Sequence, residues 1–386
     1  MFSRAVLLIL IALIFFITNV YIGCRLYPCV HAVFPGVSVL WFGILCAVLA
    51  ALAFLSVARS HTHLSPSVKY ALGAYGGVWM GAYVYLLLTL IAADIVLLLL
   101  SVLRIVPLPV TAGARCVSAI AAIVVSATII IAGTIHADNY VHRSYEVQTE
   151  KITDGREWNA VLVSDLHIGA VRSEKRLERL VNEINAEQPD IVLIAGDIFD
   201  NDFSAILEPD KCAETLRGIN AKYGVFACLG NHDAGSTAGE MLEFLPRCNI
   251  KLLSESYEVI DGSLIIAGRP DASPIGGYGG IRRGSFDKAI EGADEKLSLI
   301  VLDHTPSHIG EYPDSVDLIL CGHTHRGQIF PGSLFTKRLF TVDYGLYREN
   351  DSSPTVIVTS GAGAWGMPMR VGSDSEIVSI SLTGIK

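Results

Sequence analysis

The sequence predicts an α/β domain preceded by an all-α transmembrane region of about four helices. Of the 386 residues 51% are apolar and only 17% are charged, which excludes a disordered chain and a simple soluble domain. The charges are also uneven: of 29 Lys and Arg, 6 lie in residues 1–139 and 23 follow, and of 38 Asp and Glu, 2 lie there and 36 follow. We therefore expect a transmembrane domain, 1–139, and a water-soluble domain, 140–386.

Four apolar stretches in the first domain are long enough to cross a bilayer, which takes about 20 residues of helix. They are residues 5–22, 37–57, 78–103 and 116–135. A signal peptide is the alternative for the first stretch, because Arg4 precedes it and Ile22-Gly23-Cys24 faintly resembles a lipoprotein cleavage site. Asp94 lies deep in the third stretch, where a carboxylate is either a ligand or proton site or a helix-packing hydrogen bond.

The orientation follows from the basic residues that flank these stretches. We expect a multi-pass protein of the cell (inner) membrane, whose four spans place both termini on the same side. That side would hold Arg4, Arg59, Lys69, Arg143 and Lys151. The other side would hold Arg25, Arg104 and Arg115. The positive-inside rule therefore predicts a cytoplasmic second domain. The four apolar stretches make the lipid bilayer an expected partner. Because the second domain is acidic, nucleic acid is not an expected partner.

The second domain alternates buried strands with helices, which is typical of a layered α/β fold. Short runs rich in Val, Ile and Leu predict strands at 160–164, 191–195, 224–229, 297–302 and 318–321. Leu177, Leu180, Val181 and Ile184 share one face of a predicted amphipathic helix, 173–186. Residues 136–159 are interpreted as the linker between the domains, with a turn at Asp154-Gly155 between two strand-like stretches.

Polar side chains follow each of these predicted strands. They form five clusters, namely Asp165 with His167, Asp197 with Asp200, Asn231 with His232 and Asp233, His304, and His323 with His325. Because ligands bind at the carboxyl ends of strands in α/β sheets, we expect the clusters to meet there. Carboxylates and neutral imidazoles suit Mn, Fe or Zn. A pair of ions needs a bridging carboxylate, and Asp197 is the natural bridge because it is central and follows Gly196.

The blocks D-x-H, G-D-x-x-D, G-N-H-D, a lone His and G-H-x-H occur in order over about residues 145–386. In this the sequence resembles the calcineurin-like metallophosphoesterases. The resemblance implies a four-layer sandwich of two mixed sheets flanked by helices. It also implies two divalent metal ions, with Mn first and Zn or Fe as alternatives. One ion would be bound by Asp165, His167 and His325, the other by Asn231, His304 and His323, with Asp197 shared.

The same resemblance implies the chemistry of the site. Hydroxide bridging the two metals would attack phosphorus in line, and His232 would bind the phosphoryl group and protonate the leaving oxygen. Asp200 would orient His232, with a plain loop hydrogen bond as the alternative. Arg326 would clamp a substrate phosphate or be a solvated rim charge. Arg282 and Arg283 are interpreted as solvated surface, with contact to a substrate phosphate as the alternative. The segment Gly276–Gly280 is interpreted as either a mobile lid or an ordinary loop.

Residues Ser164–Gly169, Gly322–Gln328 and Pro368-Met369-Arg370 look like the membrane-associated bacterial subgroup near the lipid A precursor pyrophosphohydrolases. Three functions remain open. The leading one is a membrane-anchored phosphohydrolase acting on a phosphomonoester or phosphodiester substrate, possibly lipid-linked. The second is a sugar-nucleotide lipid pyrophosphohydrolase of the lipid A precursor type, which would need an apolar surface beside the site. The third is a non-enzymatic membrane sensor or transporter with a ligand-sensing phosphoesterase domain.

Overall fold

The computed structural model describes residues 4–169, 171 and 173–385, without the side chains of residues 4, 5, 7, 8, 60 and 61. Residues 1–3 of the predicted transmembrane domain and the side chain of Arg4 lie outside this description. The chain divides into a helical unit, Met1–Ala58 with Tyr75–Ala132, and an α/β unit, Arg59–Ala74 with Gly133–Lys386. The boundary between residues 139 and 140 stays a prediction.

Four long helices carry the apolar stretches: α1 Arg4–Val33, α2 Val39–Val57, α3 Pro66–Val102 and α4 Ala112–Ala137. Each is long and apolar enough to cross a membrane, and the first candidate span runs on to Val33. Within the helical unit Asp94 joins α3 to α1. Arg25 Nη2 lies 2.9 Å from Asp94 Oδ1, and the Tyr21 hydroxyl donates to Asp94 Oδ2 at 2.6 Å. These contacts correspond to the helix-packing interpretation of Asp94.

The α/β unit contains two six-stranded mixed sheets. The first has the order β1-β12-β2-β3-β4-β5 and the second β10-β11-β9-β8-β7-β6. Only the pairs β12–β2, β6–β7 and β10–β11 are antiparallel among the described strands. The strand bounds are β1 Tyr140–Thr149, β2 Glu157–Val163, β3 Ile191–Ala195, β4 Val225–Cys228, β5 Ile250–Leu252, β6 Ser256–Ile260, β7 Leu264–Gly268, β8 Ser298–Leu302, β9 Leu318–Cys321, β10 Gly345–Tyr347, β11 Thr355–Val358 and β12 Ser375–Gly384.

The four predicted layers are present because apolar side chains point to both faces of each sheet. Successive side chains point to opposite faces, so Leu162 and Leu193 of the first sheet meet Ile300 and Leu320 of the second in one core. The other face of the first sheet packs against α5 Ser173–Ala186, α6 Pro209–Arg217 and α7 Ala238–Arg247. The outer face of the second sheet is covered by Phe286 of α8, Phe286–Ala289, and by neighbouring loops. The fold predicted from the resemblance is therefore confirmed.

The five predicted strands and the predicted helix are present, but the linker interpretation of residues 136–159 is wrong in part. Strand β1 lies inside that segment and pairs in parallel with β12 along its whole length. It is an edge strand whose first residues are exposed or half-buried. The strand-like stretches on either side of Asp154-Gly155 are therefore β1 and β2, and only the interpretation as a linker fails, because the exposed pattern of an edge strand does not show that it joins a sheet.

Candidate metal centre

The carboxyl ends of β2, β3, β4, β8 and β9 carry the polar clusters that the sequence singled out. Each cluster begins within a few residues of the end of its strand. The structure brings Asp165, His167 and His325 together, with one donor atom of each within 4.8 Å of the others. His325 Nε2 lies 3.2 Å from Asp165 Oδ1 and 3.2 Å from His167 Nε2. All three residues are buried.

A second group contains Asp197, His304 and His323, again with donor atoms within 4.8 Å of one another. His304 Nε2 lies 3.1 Å from Asp197 Oδ2, and His323 Nδ1 lies 2.8 Å from Asn231 Oδ1. Asp197 Oδ2 is also 3.9 Å from His167 Nε2 in the first group. Asp197 therefore stands between the two groups, where the sequence predicted a shared ligand.

The hydrogen bonding of His304 also fits a role as ligand of a divalent metal ion. His304 Nδ1 lies 2.7 Å from the Ala195 carbonyl, so this nitrogen carries the proton and donates it. Its other nitrogen, Nε2, is buried and faces Asp197 Oδ2 at 3.1 Å without a well-aligned hydrogen bond among the described residues. A histidine ligand usually donates its second ring N–H in this way, which fixes the tautomer and directs the free lone pair to the metal. His304 is therefore prepared for ligation.

The backbone of the site is held in sparsely populated conformations. Asp165, His167, Asp197, His323 and His325 have φ angles of 55°, 47°, 51°, 69° and 48°. Non-glycine residues in this left-handed region cost of order 1–3 kcal/mol each, and they cluster at functional sites. Gly196 shows how tightly these turns meet, because a Cβ there would lie 2.8 Å from both the Gly230 Cα and His304 Nδ1.

Burial and neighbouring charges set the protonation of the site. Burial lowers the pKa of His167 to about 4, and burial followed by the charge of His304 lowers that of His323 to about 4. Burial disfavours a charged His304, but Asp197 outweighs it and raises the His304 pKa well above its usual value. Burial likewise opposes ionisation of Asp165, but His325 and its neighbours hold this pKa well below the usual range. The carboxylates are therefore ionised and two imidazoles neutral, as ligands must be.

His232 and Asp200 lie beside the first group. The His232 backbone N–H donates to Asp197 Oδ1 at 2.7 Å, and its ring centroid lies 5.1 Å from that of His167 and 5.5 Å from that of Trp365. His232 Nδ1 is buried without a hydrogen-bond partner in the described part of the chain. Asp200 Oδ1 lies 3.7 Å from His167 Nδ1. That Asp200 orients His232 stays a prediction.

Comparison with known proteins decides the family. Residues 159–327 match the model of the calcineurin-like phosphoesterases. An uncharacterised metallophosphoesterase of Aquifex aeolicus is 32% identical over 64% of this chain and 95% of its own length. This chain is a calcineurin-like metallophosphoesterase. The chain is also similar to the zebrafish (Danio rerio) "transmembrane protein with metallophosphoesterase domain". The two are 31% identical over 61% of this chain and 56% of that protein.

Among solved structures, the NAD nucleotidase of Haemophilus influenzae superposes on this metallophosphoesterase with a TM-score of 0.39 and 18% identity. The superposition covers 55% of this chain and 46% of the other. The four candidate spans and the transmembrane relative together indicate a membrane protein. The chain spans only about half of the length of the zebrafish relative.

Arg326 and Arg283 of this metallophosphoesterase have different partners. The Arg326 guanidinium lies over the Tyr344 ring, 4.3 Å from its centroid, and 4.0 Å from Asp374 Oδ2. Its role toward substrate stays a prediction. The interpretation of Arg283 as solvated surface is wrong, because its two terminal nitrogens donate to the two Asp303 carboxylate oxygens at 2.8 Å each. A buried carboxylate requires such a partner.

The Gly276–Gly280 loop is not an open lid. Tyr278 is 2% exposed, and its hydroxyl donates to the Gly230 carbonyl at 3.1 Å and to the Asp271 carbonyl at 3.2 Å. The aromatic ring thus fixes this loop to the turn that carries Asn231. The glycines alone could not reveal this contact, because it depends on where the tyrosine side chain packs.

The sequence interpretation missed several residues that shape this metallophosphoesterase site. Asp233 accepts from the Phe199 N–H at 2.8 Å and from the Gly230 N–H at 2.7 Å, so it holds two of the ligand loops. Buried Arg370 donates to the Ser360 carbonyl at 2.7 Å and to the Gly363 carbonyl at 2.6 Å. The Gly363 N–H in turn donates to the Asp165 carbonyl at 2.8 Å. Both residues belong to motifs that the sequence displayed, but no role was assigned to either.

Two basic residues, Arg59 just before α3 and Lys69 in its first turns, form ion pairs with the loop that follows β3. Arg59 Nη2 lies 2.8 Å from Asp200 Oδ2, and Lys69 Nζ lies 2.9 Å from Asp202 Oδ2. Lys69 and Asp202 are both buried. Arg59 and Lys69 were predicted only to orient the chain in the membrane. Their ion pairs with Asp200 and Asp202 join residues far apart in sequence, so no local pattern indicated them.

Proposed function

We propose that this chain is a membrane-anchored phosphohydrolase that uses two divalent metal ions to cleave a phosphomonoester or phosphodiester. The observation that carries the proposal is the convergence of two triads of donor atoms, each within 4.8 Å, with Asp197 between them. In this proposal one ion is held by Asp165, His167 and His325 and the other by Asn231, His304 and His323, with Asp197 shared. Manganese is the first candidate, and zinc and iron also suit these ligands.

Two ions bound there would supply an activated water for in-line attack on phosphorus and positive charge for the transition state. His232 then donates a proton to the leaving oxygen. Its Nδ1 has no protein partner among the described residues, and its ring stands beside half-exposed Trp365 at the mouth of the site. Asp200 orients His232, and Arg326, directly after His325, holds a phosphate oxygen of the substrate.

The membrane orientation belongs to the same proposal. Arg59 and Lys69 lie between and at the start of candidate spans α2 and α3, and they pair with Asp200 and Asp202. In this proposal the connection between α2 and α3 and the phosphoesterase domain lie on the same side of the membrane, and these two ion pairs support it. That side carries the larger number of basic residues, which supports a cytoplasmic domain at a cell (inner) membrane.

A lipid-linked substrate is the second candidate, in line with a lipid pyrophosphohydrolase. Its supporting observation is helix α9, Gly332–Leu339, which follows the GHTHRGQ motif and exposes Leu334, Phe335 and Leu339. Apolar side chains beside a phosphoesterase site suit an acylated substrate. A sensor without catalysis has less support, because each of the seven predicted ligand positions carries a side chain able to bind a metal.

The test uses the full chain purified in detergent. Hydrolysis of bis-p-nitrophenyl phosphate and p-nitrophenyl phosphate is measured with Mn, Zn, Fe or Mg. We expect Asp197→Ala to lose metal and activity together. We expect His232→Ala to keep its metal and turn over roughly 10² to 10⁴-fold more slowly. His308→Ala is the control, since this histidine pairs with Glu311 on the surface at 2.8 Å. Unchanged rates in both site variants would reject the mechanism.

A further inference from the structure

Helix α9 exposes the side chains that a helix of a soluble protein normally buries. Leu334, Phe335 and Leu339 are 57%, 64% and 75% exposed, and Phe330 just before the helix is 52% exposed. At about 3.6 residues per turn the three helical residues share one side. The half-buried side carries short polar residues, and Thr336 Oγ1 donates to Asp343 Oδ2 at 2.8 Å. We call Phe330, Leu334, Phe335 and Leu339 the apolar patch.

The charges of this helix are all of one sign. Its sequence, GSLFTKRL, contains Lys337 and Arg338 in the last turn and no acidic residue. Both basic side chains are exposed next to the apolar patch. Exposed apolar side chains combined with Lys and Arg are typical of helices that lie in the interface of a bilayer and attract anionic head groups. A water-facing helix needs no such combination.

Hydrogen bonds connect the apolar patch to the end of a candidate span. Within the α/β unit, the Arg370 N–H donates to the Gly133 carbonyl at 3.0 Å, in the last turns of α4. The next residue, Val371, accepts from the Phe330 N–H at 2.7 Å. Two steps between neighbouring backbone segments cover about 10 Å. Phe330, the first residue of the apolar patch, therefore lies within about 10 Å of Gly133, one helical turn before candidate span α4 ends at Ala137.

The same helix borders the candidate metal centre. Its first residues pack on the turn His325–Gly327, where no room remains for a side chain on Gly327 beside the Ser333 backbone. At its other end, the Phe340 ring centroid lies 5.8 Å from that of His323. Both ends of α9 thus contact residues next to or within the ligand set. An object that covers the apolar patch therefore lies next to the candidate metal centre.

We propose that the apolar patch, with Lys337 and Arg338, rests in the headgroup region of the bilayer that α4 crosses. A phosphate ester whose acyl chains stay in that bilayer then reaches the metal centre without leaving the membrane. The occupant of the patch is the lipid surface, because the patch combines a basic charge with closeness to a span end. The access part of this inference rests on the proposed phosphohydrolase function, whereas the docking part does not.

The docking part is tested without any activity. The full chain, with the four cysteines that are not buried replaced by serine, is reconstituted into vesicles of phosphatidylcholine and phosphatidylglycerol. A spin label is attached at Phe335→Cys or, as a control, at Val259→Cys, which replaces a 44% exposed residue of β6. We expect the ratio of oxygen to nickel-chelate accessibility to be at least about threefold higher at position 335. Equal, water-like ratios would overturn the proposal, and so would dipolar broadening at 335, which would assign the patch to a second copy.

The access part is tested by kinetics. Phe335→Glu combined with Leu339→Glu is compared with Val259→Glu in the same vesicles. The double variant is expected to hydrolyse a vesicle-embedded acylated phosphate ester roughly tenfold more slowly than the control, while hydrolysis of bis-p-nitrophenyl phosphate changes less than about twofold. Equal loss on both substrates, or no loss, would reject the access role. A parent chain that hydrolyses neither ester would reject the proposed function instead and leave the spin-label result standing.

Discussion

His304 illustrates how one residue of the site is prepared for a cation. Its Nδ1 donates to the Ala195 carbonyl, and its Nε2 lies 3.1 Å from Asp197 Oδ2. Without a cation, the carboxylate of Asp197 outweighs burial and raises the pKa of His304 well above its usual value. A metal ion that enters must therefore displace a proton from His304. His167 and His323, with pKa values of about 4, have no proton to lose at neutral pH.

This difference predicts proton release on metal binding. At pH 7 the parent chain should release about one more proton than His304→Asn when both are titrated with Mn. The affinity for the ion at His304 should accordingly fall as the pH falls below the His304 pKa. Calorimetry in two buffers of different ionisation enthalpy measures the number of protons. An equal number for the two chains would show that His304 is not a ligand that must deprotonate.

Asp233 gives a second prediction at the residue scale. Its two oxygens accept from the Phe199 and Gly230 N–H groups, and an amide has only one acceptor oxygen. Asp233→Asn should therefore leave one buried N–H unpaired and destabilise the α/β unit by about 1–3 kcal/mol. The melting temperature of the chain in detergent, followed together with metal content, checks this. Exposed Asp287→Asn is the control, and an equally stable Asp233 variant would disprove the role.

The residues of the site were predictable to the extent that they follow strands. Asp165, Asp197, Asn231, His304 and His323 each come shortly after a buried apolar run, and the fold brings those strand ends to a common edge. Asp233 and Arg370 act on backbone groups of other loops, and the sequence does not show which loops will meet. Arg283 was misassigned for the same reason, since its partner Asp303 lies on a different loop.

At the scale of elements, the segment Arg59–Ala74 belongs to the α/β unit although it connects and begins helices of the helical unit. Lys69 in α3 donates to Asp202 at 2.9 Å and to Ser204 Oγ at 2.7 Å. Both charges of the Lys69–Asp202 pair are buried, so the removal of one leaves the other without compensation. This segment therefore stabilises the loop after β3, which carries Asp200.

Lys69→Met is expected to destabilise the α/β unit by about 3–5 kcal/mol, because Asp202 would stay buried as an unpaired carboxylate. The matched control is Lys211→Met. Lys211 Nζ lies 3.6 Å from Glu178 with both side chains more than half exposed, so its loss should cost less than about 1 kcal/mol. Thermal unfolding of the full chain in detergent compares the two. Similar melting temperatures for both variants would contradict a stabilising role of the segment.

Elements buried on both faces were predictable, and edge elements were not. Strands β3 and β9 have the predicted bounds because each is a continuous apolar run between polar breaks. Strand β1 is an edge strand with a mixed pattern, and it was interpreted as a strand-like stretch of a linker instead of a strand of the sheet. Helix α9 has no buried residue, so a pattern that assumes an inward apolar face could not assign its environment.

At the scale of the whole molecule, four candidate spans and one phosphoesterase domain occupy a single chain. Composition and charge distribution predicted this organisation, because a bilayer and water demand different side chains. The ordered motifs predicted the family and its four-layer fold. The substrate did not follow from either, since specificity depends on loops whose arrangement the motifs do not encode. The proposed metal pair is the feature on which the phosphohydrolase proposal depends.

The most direct test of that feature is anomalous diffraction from crystals of the full chain soaked with manganese. The account predicts two peaks about 3.5–4 Å apart. One should lie within coordinating distance of Asp165, His167 and His325 and the other of Asn231, His304 and His323, with Asp197 bound to both. A single peak, or peaks away from these side chains, would contradict a shared dinuclear centre and the phosphohydrolase built on it.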